Sequence, residues 1–207
     1  MAKIKICGIT NVEDATWAAN LGADYLGMVF FKESKRKISL EKAKEIIETL
    51  PPYIEKVGLF VNEEPEIVEK ALKLCQLNVL QFQGEELPEY CNQFKDRAKI
   101  IKSFRMKDEE VLKRIPEYDV DFYHLDAFVE GLHGGTGATF NWDLALKVKE
   151  LGRPIFLAGG LNPENITEAI KKVQPYAVDV ASGVESSPRR KSVELMQQFV
   201  QKVRKAG

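Results

Sequence analysis

Hydrophobic and polar positions along this chain follow two rhythms that take turns. The opening run Lys3-Ile4-Lys5-Ile6-Cys7 alternates at a period of two, which predicts a strand. Residues 11 to about 20 follow as a helix, with Gly22 as its stop. Thr10 and Glu13 have the spacing of a capping box, so the helix is expected to start at Thr10. The exchange then repeats. Further strands are predicted at 25–30, 56–61, 78–82, 99–104, 122–125, 154–158 and 177–180. Between them lie apolar stripes at helical spacing. Leu40, Ala43, Ile47 and Leu50 follow a capping Ser39, and Pro51-Pro52 ends that helix. Ile67, Ala71 and Leu74 form a stripe after Pro65, and Leu87, Tyr90, Cys91 and Phe94 form the next. A short helix is expected over 107–114. Asn141 caps a helix with Leu144, Val148 and Leu151 on one face. Asn162 caps another, with Pro163 at its first position. A last helix, about 191–205, buries Met196, Phe199, Val200 and Val203.

Strand–helix alternation calls for a parallel α/β sheet with right-handed crossovers. Eight such units favour a closed (β/α)8 TIM barrel, a single compact domain over residues 1–207, although that length is near the short end for the fold. The alternative is an open doubly wound sheet. Its dinucleotide fingerprint is missing, since Cys7-Gly8-Ile9-Thr10 has one glycine where three are needed.

Composition narrows the picture. With 30 basic and 31 acidic residues and no basic block interleaved with aromatics, nothing argues for nucleic acid. No apolar run is long enough to span a membrane, and the N-terminus lacks a signal-peptide core, so a cytoplasmic location is expected. The three cysteines, Cys7, Cys75 and Cys91, lack paired spacing and fit a reducing compartment better than a disulfide framework. Two histidines do not make a His-rich metal site.

In a barrel all strand C-termini face one mouth, and the candidate chemistry collects there. Cys7 ends the first strand beside a helix start, where a thiol pKa is expected to fall. Asp126 ends the sixth; a carboxyl at a partly apolar mouth can keep its proton and act as an acid. His124 is expected on the strand face opposite Asp126, as a core or helix-facing residue, and His133 to be solvated. Arg36 lies in the charged loop after the second strand, with a fork suited to a carboxylate. Gly134, Gly135, Gly159, Gly160, Ser182 and Gly183 follow strands six to eight, where barrels commonly bind phosphate through backbone N–H groups.

Several stretches together resemble the phosphoribosylanthranilate isomerase family over essentially the whole chain. They include Cys7-Gly8-Ile9-Thr10, Ser34 with Arg36, Gly134-Gly135-Thr136-Gly137, Phe140 with Trp142, Ala158-Gly159-Gly160-Leu161-Asn162-Pro163 and Ser182-Gly183-Val184-Glu185. The resemblance implies the (β/α)8 fold, no cofactor or metal, and a monomer or homodimer. It implies an Amadori rearrangement of N-(5'-phosphoribosyl)anthranilate to a 1-amino-1-deoxyketose in tryptophan biosynthesis. By matching positions it makes Asp126 the general acid and Cys7 the general base. Arg36 would hold the anthranilate carboxylate and the glycine loops the phosphate. Two positions depart from the family pattern: Gln83 stands where a histidine is common, and Asn141 where an aspartate is common. The alternatives are another phosphosugar isomerase or epimerase on the same barrel, and a non-catalytic phosphate-ligand sensor.

Overall fold

Eight parallel strands close into a barrel in the order of the chain. The computed structural model describes residues 1–127 and 141–206. The strands are β1 (Lys3–Cys7), β2 (Tyr25–Val29), β3 (Glu55–Phe60), β4 (Val79–Phe82), β5 (Lys99–Met106), β6 (Phe122–Ala127), β7 (Ile155–Leu157) and β8 (Ala177–Val180). Helices α1 (Val12–Leu21), α2 (Leu40–Ile47), α3 (Pro65–Leu74), α4 (Pro88–Asn92), α5 (Val111–Arg114), α6 (Trp142–Lys149) and α7 (Ile166–Val173) alternate with them. A small hairpin, β9 (Glu185–Ser187) and β10 (Arg190–Lys191), precedes the final helix α8 (Val193–Ala206). The expected TIM barrel is thus present, and the ring is completed by β1 pairing with β8, Lys5 opposite Asp179. Among the described residues no helix is long and apolar enough to cross a membrane.

Side chains alternate across a strand, so one face of each enters the barrel and the other meets the helices. Ile4, Ile6, Leu26, Met28, Leu80 and Ile100 belong to the large core shared with the helix layer. The inward positions form tiers. Tyr25, Val57, Val79, Ile101, Phe122 and Phe156 make an apolar plug at the N-terminal end. Two residues further along each strand the inner face becomes polar: Lys5, Gln81, Ser103, His124 and Asp179 are all buried there. Two further again, Cys7, Val29 and Val61 line the mouth, together with Leu59 from the tier below.

Several local expectations shift. Helix α1 is capped by Asn11, whose side chain accepts from the Asp14 N–H, rather than by Thr10, whose hydroxyl donates to the Arg189 carbonyl. In α3 the buried stripe is Val68, Ala71 and Leu72, while Ile67 is exposed; Leu87 and Leu151 are exposed as well. Asn162 does accept from the Glu164 and Asn165 N–H groups, but that cap closes a preceding turn and α7 begins only at Ile166. The caps at Ser39 and Asn141 form as expected, so Asn141 loses nothing as a cap.

Between β4, β5 and the helix layer sits a buried ion pair. Lys102 donates to Glu86 at 2.7 Å and to the Gly84 carbonyl at 2.8 Å, and Glu86 accepts from the Asn62 and Gly84 N–H groups. Removing one partner of such a pair strands the other charge. Lys102→Met should cost about 3–5 kcal/mol in urea unfolding, and adding Glu86→Gln should restore much of it. A single variant as stable as wild type would show that the pair contributes little.

Candidate active site

The C-terminal mouth opens into a cleft of about 650 Å³ whose lining includes Cys7, Arg36, Asp126, Gly159 and Ser182. These sequence candidates, drawn from five segments, are brought together. Gly160 and Gly183 lie next to them in the same loops. Gly134 and Gly135 lie outside the described residues, as does His133.

Asp126 is placed by β6. One carboxylate oxygen accepts from the Ala127 N–H at 2.9 Å and the other from the Gln83 amide at 3.1 Å. Burial pushes the carboxyl above its ordinary range, against opposing pulls from His124 and the Ala127 N–H. A carboxyl in that state can keep its proton for donation. Gln83, at the position where the family commonly has a histidine, thus makes a polar contact with the candidate acid.

Cys7 is buried at the end of β1, opposite Gly27 of β2. The expected lowering of its thiol pKa is not what the structure favours. Burial pushes the thiol up, and the opposing influence of Lys5 and Lys191 does not overcome it. Lys191 donates to the Cys7 carbonyl at 2.7 Å, to the Ala181 carbonyl at 2.9 Å and to Glu185 at 3.1 Å, tying β10 to the mouth.

Arg36 crosses the backbone at Gly8, where a Cβ would lie 2.3 Å from the Arg36 Cδ. Its Nε and Nη2 donate to the two oxygens of Glu185, each at 2.7 Å. One edge of the guanidinium is thus spent within the chain, and a ligand carboxylate would meet the remaining Nη edge. Burial works against the Glu185 charge, but Arg36 and Lys191 outweigh it and hold its carboxyl below the usual range. Glu185 was visible in the sequence motif without a role, because its partner lies 149 residues away.

The loops after β7 and β8 carry Gly159, Gly160, Ser182 and Gly183. Gly159 has φ of 82°, and a Cβ there would lie 2.6 Å from the Ala127 nitrogen, so no other residue fits without displacement. Among the described residues, no carbonyl or side chain accepts from the N–H groups of Gly160 and Ser182. Donors of this kind suit an anion.

Beneath the mouth runs a set of groups that sequence reasoning missed. Lys5 donates to Asp179 at 2.7 Å; the same oxygen meets His124 Nε2 at 2.9 Å; His124 Nδ1 meets the Ser103 hydroxyl at 2.8 Å. Gln81 donates to Ser103 and Gln83, and Gln83 to Asp126. His124 was expected on the face opposite Asp126. It lies two positions before Asp126 and so shares its face, inside the barrel. The period-two count was the signal that could have found it. Asp179 is among the residues lining the cleft, and its other oxygen is buried without a hydrogen-bond partner among the described residues. No cluster of three or more His, Cys, Asp or Glu side chains able to hold a metal occurs among the described residues.

Comparison with known proteins gives concordant matches. A family profile described as N-(5'phosphoribosyl)anthranilate (PRA) isomerase matches residues 4–202. An N-(5'-phosphoribosyl)anthranilate isomerase from Trichlorobacter lovleyi is 47% identical over 206 residues, covering 100% of both chains. A crystal structure of a phosphoribosyl anthranilate isomerase in complex with reduced 1-(o-carboxyphenylamino)-1-deoxyribulose 5-phosphate superimposes with a TM-score of 0.89 at 39% identity, covering 99% of this chain and 100% of that one. Monomers generated from the dimeric enzyme of Thermotoga maritima superimpose with a TM-score of 0.90 at 40% identity, with the same coverage.

Burial pushes all three thiols up, Cys75 to about 11 and Cys91 to about 12, but Cys7 lines the open cleft while Cys75 and Cys91 sit within the packed core. Iodoacetamide should therefore modify Cys7 first in the folded protein, as read by peptide mass spectrometry. Earlier labelling of Cys75 or Cys91 would contradict this placement.

Proposed function

From the premise that the chain belongs to the N-(5'-phosphoribosyl)anthranilate isomerase family, we propose that its barrel mouth performs the reaction with Asp126 as acid and Cys7 as base. The enzyme converts N-(5'-phosphoribosyl)anthranilate to 1-(o-carboxyphenylamino)-1-deoxyribulose 5-phosphate in tryptophan biosynthesis. The observation that carries the residue assignment is that Cys7 and Asp126 line one cleft together with an arginine and two glycine-bearing loops.

The chemistry asks for one proton donor and one proton acceptor. Asp126 gives its proton to the ribose ring oxygen as the bond from that oxygen to C1' breaks, and the anthranilate nitrogen lone pair forms the Schiff base. The Cys7 thiolate then takes the C2' proton, and the electron pair of that bond forms the enolamine. Tautomerisation moves the hydroxyl proton to C1' and leaves the ketone. Asp126 regains a proton and Cys7 loses one by exchange with solvent. Arg36, held by Glu185, receives the anthranilate carboxylate. The N–H groups of Gly159, Gly160, Ser182 and Gly183, with Gly134 and Gly135 from the preceding loop, receive the phosphate and anchor the substrate while its ring opens.

The catalytic unit is the single barrel over residues 1–207, acting as a monomer or a homodimer on a small phosphosugar-anthranilate substrate. Its three cysteines include no disulfide, which suits a reducing cytoplasm.

The working form carries a proton on Asp126 and none on Cys7. Burial raises both pKa values: it prolongs the protonated life of Asp126 as pH rises and delays the thiolate of Cys7. kcat/KM should be bell-shaped in pH, with limbs that belong to the coupled pair. Cys7→Ala should abolish most turnover in a folded protein. Asp126→Asn should keep binding of a stable product analogue within a few-fold of wild type and lose nearly all turnover. Substantial kcat in either folded variant removes that residue from its role. Arg36 touches a group remote from the reacting atoms, so Arg36→Ala should raise KM more than it lowers kcat. Glu185→Gln should act in the same direction with smaller effect; an unchanged KM in Arg36→Ala would take the arginine out of the site.

A further inference from the structure

Lys5 is fully buried in the barrel and belongs to no step described above. It stands two residues before Cys7, so both side chains point inward from β1. A Cβ placed on Gly27 of the neighbouring strand would be 2.8 Å from the Cys7 sulphur and 3.3 Å from the Lys5 nitrogen. Both atoms therefore converge on the same bare stretch of backbone, which only a glycine leaves open. On its other side the ammonium is held by Asp179 at 2.7 Å, and that oxygen is shared with His124.

We propose that Lys5 is a positioning residue for Cys7: its ammonium, seated over Gly27 between the Cys7 sulphur and the Asp179 carboxylate, supplies the counter-charge of the reacting thiolate. The proposal rests on Cys7 as the base. A structural ion pair between the first and last strands would need only Asp179, with no approach to the sulphur. Gly27 adds weight to the functional reading, because a side chain there would force the sulphur and the ammonium out of their shared space.

The charges around the thiol define the sign of each effect. Burial opposes ionisation of Cys7 most strongly; Lys5 is the largest favourable influence, Asp179 opposes, and Lys191 of β10 helps. Arg36, from the loop after β2, also interacts favourably with the thiolate. Glu185 of β9 neutralises part of Lys191 and Arg36. His124 and Asp126 of β6 share the cleft, the first bound to Asp179. Lys5 keeps its own charge despite burial because Asp179 and Cys7 together outweigh the desolvation. Removing Lys5 then makes the thiolate harder to form, whereas removing the Asp179 charge makes it easier.

The test titrates Cys7 directly in the full-length protein, as the rate of iodoacetamide modification against pH, resolved by peptide mass spectrometry. Lys5→Met should move the midpoint up by about one pH unit or more, and Asp179→Asn should move it down. One limb of the kcat/KM profile should follow each shift. Lys5→Met leaves Asp179 without its cation, so the double variant Lys5→Met/Asp179→Asn provides a neutral interior. Its midpoint should remain above that of wild type, because the lysine has the larger influence. Unmoved midpoints in the folded variants, or shifts of the same sign for Lys5→Met and Asp179→Asn, would overturn the proposal and leave the pair as a structural seam. Cys7→Ser turnover tests the base assignment separately: near-normal activity there would defeat that assignment while the titration still reports on Lys5.

Discussion

The polar interior of this barrel hangs on a lysine and an aspartate buried at the seam between its first and last strands. Lys5 and Asp179 stand opposite each other in the β1–β8 register and meet at 2.7 Å with the ammonium wholly out of water. Taking both ions from water costs several kcal/mol each before their attraction and hydrogen bonds offset it. An apolar pair of similar volume could close the same seam at no greater cost. The arrangement is tolerated because the charges are satisfied: His124 reaches the shared aspartate oxygen, and Ser103 in turn reaches His124. From there the bonds continue through Gln81 and Gln83 to Asp126. A polar tier thus lies between the apolar plug below and the open cleft above. Its chain of contacts runs from the strand that carries Cys7 to the strand that carries Asp126, so the positions of the two reacting groups are held by one connected set of bonds.

Much of the fold was legible because a barrel is built from short local units. The strand run Lys3–Cys7 coincides with β1, and Ala177–Val180 with β8. The stripe of Met196, Phe199, Val200 and Val203 is the buried face of α8. What local pattern could not say is which face of a strand meets solvent. In an isolated strand Lys5 reads as an outward polar residue, whereas the place of His124 follows only from counting two positions back from Asp126. In a closed ring the polar alternate face is the interior, and both are buried there. Cap assignment failed for a similar reason. Thr10 has the right spacing to cap α1, but its hydroxyl is claimed by the Arg189 carbonyl, 179 residues away. Of the site, strand ends marked Cys7 and Asp126, while the Glu185 partner of Arg36 needed the tertiary fold to bring it near.

The same environment treats the proposed acid and base differently, and the distribution of charge explains why. Both groups are buried, and burial favours the neutral form of each. For Asp126 that is the form the reaction uses. For Cys7 it is the wrong form, and the cations are gathered on its side: Lys5 on its own strand, Lys191 beneath its carbonyl, and Arg36 across Gly8. Asp126 receives neutral donors instead, the Ala127 N–H and the Gln83 amide. Gln83 is informative here because the family commonly has a histidine at this position. An imidazolium there would add a positive charge beside the carboxylate and favour loss of the very proton the acid must deliver. The amide keeps the hydrogen bond and cannot charge at any pH. In this chain burial holds the proton on Asp126 against the pulls of His124, which has both ring nitrogens engaged by Ser103 and Asp179, of the Ala127 N–H and of Lys5. The polar tier joins the two proton-transfer groups electrostatically as well as mechanically: Lys5 favours the charged form of both and Asp179 opposes it, so one buried pair bears on the protonation of acid and base together.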